Sequence, residues 1–432
     1  MSDSTLQSAL ATILSATVVA YALWWLIRRL QVRHAGLSVG LPLAIGFLAR
    51  LVGVVAVDGS GLSSALRGGD ETTFLNQAKP LAALPLSSPE WLTQVTERLH
   101  IAVFAVQMRL LDSTPTALRM VQIGFALTGL LLLVAAVCEL GGPRAARLAA
   151  WVLMLEPAGV FFNSALHKEP LMLLASGIVV YGGVRVWRRL DLRGVAMLAL
   201  GGAIAVCTRP YAGWFLVSSC VLLLLHAAFR RLDRPLRALP VIYAVLLAGF
   251  LVLPTLVGVS SRENLQTLQI SQNANTDQAA RDASNGANSN NLALERVDYS
   301  SREKVALNLP KRAFDVLTKP YPWQVANASQ VLGAFGSMAA LTGLVMLLGY
   351  GWRARGRILA TTGPLLYPLL FLLMAYSLSA GNAGTGFRYR THIVTLSLAM
   401  LLILRSTVLD RRAPAPVSQQ PLAGARVARP LT

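Results

Sequence analysis

The chain has few charged residues and few cysteines for its length. Only 14% of its 432 residues are charged, whereas 54% are hydrophobic, a balance that would leave large apolar patches on a water-soluble domain. Its three cysteines, Cys138, Cys207 and Cys220, lie within or at the ends of apolar runs and form no CxxC pair, so we expect neither a disulfide framework nor a zinc site. The composition predicts an integral membrane protein.

Long apolar runs provide the candidate membrane spans. A helix needs about 20 mostly apolar residues to cross the hydrocarbon layer. The runs cover residues 6–27, 37–57, 118–140, 148–166, 171–187, 194–207, 211–229, 239–257, 331–350, 358–378 and 393–404. We therefore predict an all-α, polytopic membrane helix bundle of about 11 transmembrane helices.

Arginine is concentrated in every second link between these runs. The net charge of +19 is spread over short links rather than one soluble patch, so we expect no nucleic-acid partner. The positive-inside rule assigns the Arg-rich links to the cytoplasm. This predicts an amino terminus on the outer side of the membrane and a carboxyl terminus in the cytoplasm. No basic segment precedes the first run, which disfavours a cleaved signal peptide.

Two outward segments are too long to be simple turns. In the first, residues 91–111 have the pattern of a helix lying in the membrane interface. In the second, residues 271–291 are polar and expected to be mobile, and residues 310–323 return to the membrane surface. The predicted divisions are an extra transmembrane helix and cytoplasmic link (1–36), a membrane core (37–257) with its first periplasmic loop (58–117), a long periplasmic loop (258–328), carboxyl-terminal transmembrane helices (329–406) and a disordered cytoplasmic tail (407–432).

Carboxylates are scarce here, so those predicted to face outward are informative. Asp70 and Glu71 follow the paired glycines Gly68 and Gly69 early in the first outward loop, and Glu169 lies in a short outward link. A carboxylate beside a tight turn can act as a general base toward a substrate hydroxyl. From the residues alone, a solvated loop with a helix cap is the simpler explanation of Asp70 and Glu71, and a boundary ion pair with Lys168 explains Glu169 equally well.

Basic residues in short outward links contradict the charge rule and need an anion to offset their cost. Arg388 and Arg390, one residue apart, are interpreted as flanking one phosphate group, although lipid headgroups or local acids would also pair them. Arg50 lies inside a run, facing the bundle or a polar cavity, or snorkelling outward. Phosphate-binding candidates are Arg209, Arg388, Arg390 and Lys168; further candidates are His167, Tyr211, His392, Lys311 and Arg312.

A short motif adds a family resemblance. Asp70, Glu71, Phe74 and Ala78 resemble the Asp-Glu-x-x-aromatic-x-x-x-Ala signature of the GT-C glycosyltransferases, membrane enzymes that use polyprenyl-phosphate-linked sugars, although Phe74 stands where Tyr is common. The resemblance covers residues 37–187. It implies a GT-C-like fold, with Asp70 as the catalytic base, Glu71 as its supporter and Glu169 as a second acid.

The basic outward loops also resemble those of Wzy-type polymerases, which join lipid-linked repeat units of surface polysaccharide. We therefore expect an inverting glycosyltransferase of exopolysaccharide biosynthesis with a polyprenyl-(di)phosphate-linked donor, more the repeat-unit polymerase than a single-sugar transferase. A flippase or transporter is the alternative of another class. Expected partners are the polyprenyl-linked glycan, membrane lipids and other polysaccharide-assembly proteins. The resemblance also implies the bacterial inner membrane, with the amino terminus and the site on its periplasmic face. The sequence assigns no cofactor; a divalent cation, Mg or Mn, could bind if the three acids converge.

Overall fold

A computed structural model describes residues 3–59, 70–111, 114–230, 262–284, 294–325, 328–380 and 383–410. Within these ranges the regular secondary structure is helical, which confirms the all-α prediction for this part of the chain. The helices are α1 Asp3–Arg33, α2 Gly40–Gly59, α3 Asp70–Ala83, α4 Pro89–Glu97, α5 Leu99–Leu111, α6 Pro115–Leu155, α7 Pro157–Phe162, α8 Glu169–Arg189, α9 Leu192–Thr208, α10 Pro210–Arg230, α11 Arg262–Ser284, α12 Arg302–Thr318, a 3₁₀ turn Pro322–Gln324, α13 Ala328–Arg353, α14 Ile358–Ser379 and α15 Ala383–Asp410.

Seven of the described helices are long and apolar enough to cross a membrane, so the multi-pass prediction is confirmed. They include α1, α6, α8, α10, α13, α14 and α15. Shorter apolar helices cover Gly40–Ala56, Leu99–Leu111 and Leu192–Thr208. The total of about 11 stays a prediction, and the run at 239–257 and the tail at 411–432 lie outside the described residues.

Helix α6 contains a sharp bend between two predicted spans. Gly142 has a φ of 82°, a conformation that favours glycine, and Pro143 follows it. The predicted span that follows this bend, 148–166, is wrong as one continuous helix, because α6 ends at Leu155 and α7 begins at Pro157. Between them, the carboxylate of Glu156 accepts hydrogen bonds from the first free amides of α7. The polar residue at 156 therefore interrupts an apolar sequence.

Arg50 faces the interior of the bundle. Its side chain is fully buried, and Nη1 donates to the carbonyl oxygens of Gly46, at 2.9 Å, and Met154, at 2.8 Å. The Met154 carbonyl belongs to the last turn of α6, where carbonyls have no partner within the helix. Of the alternatives for Arg50, the structure supports a bundle-facing position, with the guanidinium satisfying the end of α6.

Helices α6 and α8 pack closely and begin at the same end of the bundle. A Cβ atom on Gly177 of α8 would stand 2.3 Å from the carbonyl oxygen of Gly129 of α6, so the two backbones touch where both positions are glycine. Gly129 is fourteen residues into α6 and Gly177 is eight residues into α8. Glu71 accepts hydrogen bonds both from Arg119, near the start of α6, and from the backbone N–H of Leu166, just before α8, so both helices start at the same end of the bundle, where the candidate site forms.

The described part of the segment predicted as the first outward loop contains three helices. The predicted helix over residues 91–111 is wrong as a single element, because Arg98 leaves helical geometry (φ −145°, ψ 56°) and separates α4 from α5. Helix α5 buries Ile101 and Phe104 against Ala78 and Leu81 of α3. Apolar residues in this loop therefore build a small protein core that carries α3, which begins at Asp70.

The second outward segment is more ordered than its composition predicts. Helix α11 continues through residues 271–284, where mobility is expected; residues 285–291 lie outside the described ranges. Its polar side chains make tertiary hydrogen bonds: Asn273 both donates to and accepts from the backbone of Val297. The side-chain amides of α11, which the sequence predicts to be solvated, instead bind the backbone of the extended segment 294–299.

Candidate active site

Three carboxylates and three arginines form ion pairs at one end of the bundle. Asp70 pairs with Arg388, Glu71 with Arg119 and Glu169 with Arg209. These residues come from the starts of α3, α6, α8 and α15 and from the junction of α9 with α10. With Lys168 in the adjoining link, the structure therefore brings together all three predicted acids and three of the four predicted phosphate-binding residues.

Glu71 is the buried member of the adjacent acid pair. It accepts from Arg119 Nη2 at 2.8 Å and Nε at 3.3 Å, and from the backbone N–H of Leu166 at 2.7 Å. Burial raises the pKa of the Glu71 carboxyl, but the hydrogen bond and charge of Arg119 outweigh this, so the net pKa is lowered. Glu71 joins α3 to α6 and to the link that carries His167 and Lys168, and is thus suited to positioning.

Asp70 is the accessible carboxylate. Its side chain is 46% exposed, against 9% for Glu71, and it accepts a hydrogen bond from Arg388. Burial raises the pKa of the Asp70 carboxyl, but Arg388 more than compensates and His167 adds to the lowering, so the net pKa lies below its ordinary value. Asp70 is therefore ionised at neutral pH, exposed to a ligand and fixed by an arginine.

Glu169 and Arg209 form a second, enclosed pair. Arg209 Nη2 lies 2.9 Å from Glu169 Oε1, and the guanidinium carbon stands 4.5 Å from the ring centre of Tyr389. His392 Nε2 lies 3.1 Å from the backbone oxygen of Glu169. Among the described residues Glu169 Oε2 has no hydrogen-bond partner. One acceptor of this buried carboxylate is thus left for a ligand or water.

Tyrosines form the wall behind Arg209. Tyr211, predicted as a candidate, donates its hydroxyl to that of Tyr389 at 2.7 Å, and Tyr389 stacks on Tyr376 with 4.6 Å between ring centres. Tyr376 and Tyr389 are buried, so they shape the site rather than offering a free stacking surface. His392 packs beside Tyr376 at 5.8 Å. The aromatic wall fixes the orientation of the Arg209 guanidinium.

His167 and Lys168 occupy the link before α8. Lys168 Nζ lies 5.5 Å from the ring centre of Phe74, and in the described part of the chain it forms no ion pair with a carboxylate. Burial, with the charge of Arg209, lowers the pKa of Lys168 to about 8. Burial and Arg388 also lower the pKa of His167, whose Nδ1 has no partner among the described residues. Lys168 is thus a cation available to an anionic ligand.

Three predicted basic residues lie outside this site. Arg390 is wrong as a partner of Arg388 around one phosphate: residues two apart on a helix point in different directions, and Arg390 instead donates to the Gly333 carbonyl and Ser337 hydroxyl of α13. Lys311 is exposed and pairs with Glu295. Arg312 is buried in α12 and donates to the carbonyl of Ala380 at 2.8 Å.

Sequence reasoning missed Arg119, Tyr376 and Tyr389. For Arg119 a signal exists, because an arginine inside a long apolar run needs a buried partner. For the tyrosines there is none, since a tyrosine in an apolar helix is ordinary. Within the described ranges no group of three or more His, Cys, Asp or Glu side chains could hold a metal ion, and each predicted acid faces an arginine instead.

No protein-family model, curated protein or solved structure matches this chain. The site geometry is therefore the basis for a functional proposal.

Proposed function

We propose that the chain is an integral-membrane glycosyltransferase that transfers a glycan from a polyprenyl-(di)phosphate-linked donor to an acceptor hydroxyl. The observation that carries this proposal is the half-exposed, ionised carboxylate of Asp70, held by Arg388 near Lys168, a cation that forms no ion pair with a carboxylate in the described part of the chain. Glycosyl transfer needs both groups: a base for the incoming hydroxyl and cations for the departing phosphate.

In the proposed reaction the acceptor hydroxyl attacks the anomeric carbon of the donor sugar. A new carbon–oxygen bond forms, the bond from that carbon to the phosphate oxygen breaks, and the electron pair leaves with the phosphate. Asp70 takes the hydroxyl proton. Arg388 orients Asp70, and with Lys168 it stabilises the negative charge that develops on the leaving phosphate.

The charge inventory of the site favours an anionic substrate. Among the described residues of the ion-pair cluster and Lys168, four cations (Lys168 and the arginines at 119, 209 and 388) face three carboxylates, which leaves one positive charge in excess. The cations of this partly buried region have lost part of their hydration, and an anion that binds there compensates for that loss. Because water is partly excluded, the cations attract an anion more strongly than they would at an open surface. An excess of one positive charge attracts a monophosphate as well as a diphosphate donor, so mass analysis of the lipid-linked glycans decides between repeat-unit polymerisation and single-sugar transfer.

The same proposal gives the reaction a location. Links rich in arginine follow α1, α8 and α13 at the ends opposite to the starts of α8 and α15. With the positive-inside rule, those links face the cytoplasm of a bacterial inner membrane and the site faces the periplasm. Lipid-linked donors displayed on that face are then within reach of Asp70.

The decisive experiment replaces the candidate base. In membranes that contain Asp70→Asn, we expect normal insertion and no transfer, whereas Glu97→Gln, an exposed control on α4, keeps full transfer. Mass analysis of the lipid-linked glycans then identifies the reaction: loss of a polymerase leaves complete single repeat units, and loss of a single-sugar transferase leaves units one sugar short. A full polysaccharide yield from Asp70→Asn would refute the assignment.

A further inference from the structure

Two buried arginines outside the site attach α12 to the end of α14 and to α15, the helix that carries Arg388. Arg312, on α12, donates from Nη2 to the Ala380 carbonyl at 2.8 Å and from Nη1 to the Glu295 carbonyl at 3.2 Å. Arg390, on α15, donates from Nη1 to the carbonyls of Leu317, at 3.2 Å, and Lys319, at 3.0 Å, at the end of α12. Arg312 therefore links α12 to the end of α14, and Arg390 links α15 to the end of α12.

These contacts lie on both sides of Arg388 in the sequence. Ala380 caps the carboxyl end of α14, and Arg390 is two residues beyond Arg388 in the first turns of α15. Movement of α12 relative to the bundle would therefore displace both flanks of Arg388. Because Arg388 holds Asp70, the displacement would reach the candidate base.

The acceptors explain why these arginines fix position. All but one of the acceptors of Arg312 and Arg390 named above are backbone carbonyls, the exception being the Ser337 hydroxyl. A carbonyl cannot rotate away without moving its helix, unlike a carboxylate on a flexible side chain. Both side chains are almost fully buried, so weakened hydrogen bonds would leave a charge without compensation. The contacts therefore hold over a narrow range of helix positions.

Helix α12 is not isolated in this arrangement. The amide of Gln269 in α11 accepts from the backbone N–H of Tyr299 at 2.7 Å, and Gln272 donates to the Ser379 carbonyl at 2.8 Å, next to the Arg312 contact. We call residues 262–284 together with 294–318 the cap unit. Within this unit, hydrogen bonds join α11 to the segment 294–299 that precedes α12. Both α11 and α12 contact the end of α14, through Gln272 and Arg312.

We propose that the cap unit is the positioning element of the site, and that Arg312 and Arg390 are positioning residues that align Arg388 with Asp70. The catalytic consequence rests on the proposed function; the structural coupling does not. A displacement of about 1 Å in a reacting group can lower a rate by about 10²-fold, so detaching the cap unit slows transfer without removing any group that touches substrate.

The test compares neighbouring residues of α12. Arg312→Met removes the contacts with Ala380 and Glu295, whereas Lys311→Met removes only an exposed pair with Glu295. Arg312→Lys keeps one cationic donor and serves as the conservative variant. Each is reconstituted as the full chain in lipid nanodiscs, and backbone amide hydrogen exchange is followed in peptides covering 383–395, 70–83 and 171–187.

For Arg312→Met we expect at least tenfold faster exchange in 383–395 and faster exchange in 70–83, with 171–187 unchanged. Lys311→Met should match the parent chain, and Arg312→Lys should be intermediate. Unchanged exchange at 383–395, or a uniform increase that includes 171–187, overturns the proposal, since the first shows no coupling and the second shows general destabilisation.

Transfer rates give the second readout. Arg312→Met should lower kcat by about 10- to 100-fold with little change in KM, because binding groups stay in place. If Asp70→Asn retains transfer while the exchange pattern appears as described, the proposed function fails and the coupling stands. If Asp70→Asn is inactive and Arg312→Met behaves like Lys311→Met in both assays, only the positioning role fails.

Discussion

The ion pair between Glu71 and Arg119 makes a quantitative prediction for stability. Both side chains are more than nine-tenths buried, and Glu71 also accepts the N–H of Leu166. Replacing Glu71 by Gln keeps the shape and one acceptor but leaves the Arg119 charge without its carboxylate. Arg119→Met has the converse effect on Glu71. Removing one partner of a buried ion pair costs about 3–5 kcal/mol.

The double variant separates the interaction energy of the pair from the cost of leaving either charge buried without its partner. With both changes neither charge remains buried alone, so the combined loss should be smaller than the sum of the single losses by about 2–3 kcal/mol. An internal control is the pair of Arg296 with Asp277, 2.9 Å apart but 71% and 40% exposed. Its coupling energy should stay below about 1 kcal/mol.

Both cycles can be measured by unfolding the purified chain in mixed micelles with increasing denaturing detergent, followed by tryptophan fluorescence. The midpoints give free energies of unfolding for the parent, single and double variants. Coupling at Glu71 and Arg119 no larger than at Asp277 and Arg296 would show that the buried pair is solvated in the membrane protein, and the reasoning from burial would be wrong.

Other outcomes follow from single groups. Lys168 has a pKa of about 8, so kcat/KM should fall as pH rises through about 8 and Lys168→Arg should extend activity upward; identical profiles would exclude a cationic role. Gly177→Ala should cost at least about 1–3 kcal/mol, because its Cβ meets a backbone oxygen, whereas Gly53→Ala, with nothing within 4 Å, should be nearly neutral in the same unfolding assay. The folded pKa of Glu71 lies below the ordinary 4.5, so its stabilising contribution is complete above pH 4.5 and lost as pH falls further; Glu71→Gln should lack this acid-dependent loss.

Sequence reasoning succeeded where composition alone decides the structure. Long apolar runs can be buried only in lipid or in a bundle, so α8, α10, α14 and α15 are predictable. It failed at Glu156, because a single charged residue hardly changes the mean hydropathy of the 19 residues 148–166, although its side chain caps α7. The break is set by local hydrogen bonding, which a hydropathy average does not record.

The site was predictable in its acids and less so in its bases. Asp70 could be selected because it belongs to the Asp-Glu motif, and Glu169 because it stands in a short link between two apolar runs. Residue type does not distinguish Arg390 from Arg388, because the two arginines differ only in the face of α15 on which they lie. Which face meets the site depends on the packing of α12 and α13 against α15, where Arg390 donates to Leu317 and Gly333. Asn273 shows the same limit, because an amide gives no sign in the sequence of whether it meets water or a backbone.

The hydrogen bond from Arg50 to Met154 sets an order of events during biogenesis. The donor is synthesised 104 residues before its acceptor, so α2 reaches the translocation machinery while the guanidinium still has no Met154 carbonyl to bind. Placing an uncompensated arginine at the centre of a helix costs about 2.5–3.5 kcal/mol on insertion scales. Helix α2 should therefore remain beside the translocon, or beside nascent α1, and move to its final place only after the end of α6 emerges. Substituting Arg50 by Leu would release α2 early and uncouple its integration from that of α6.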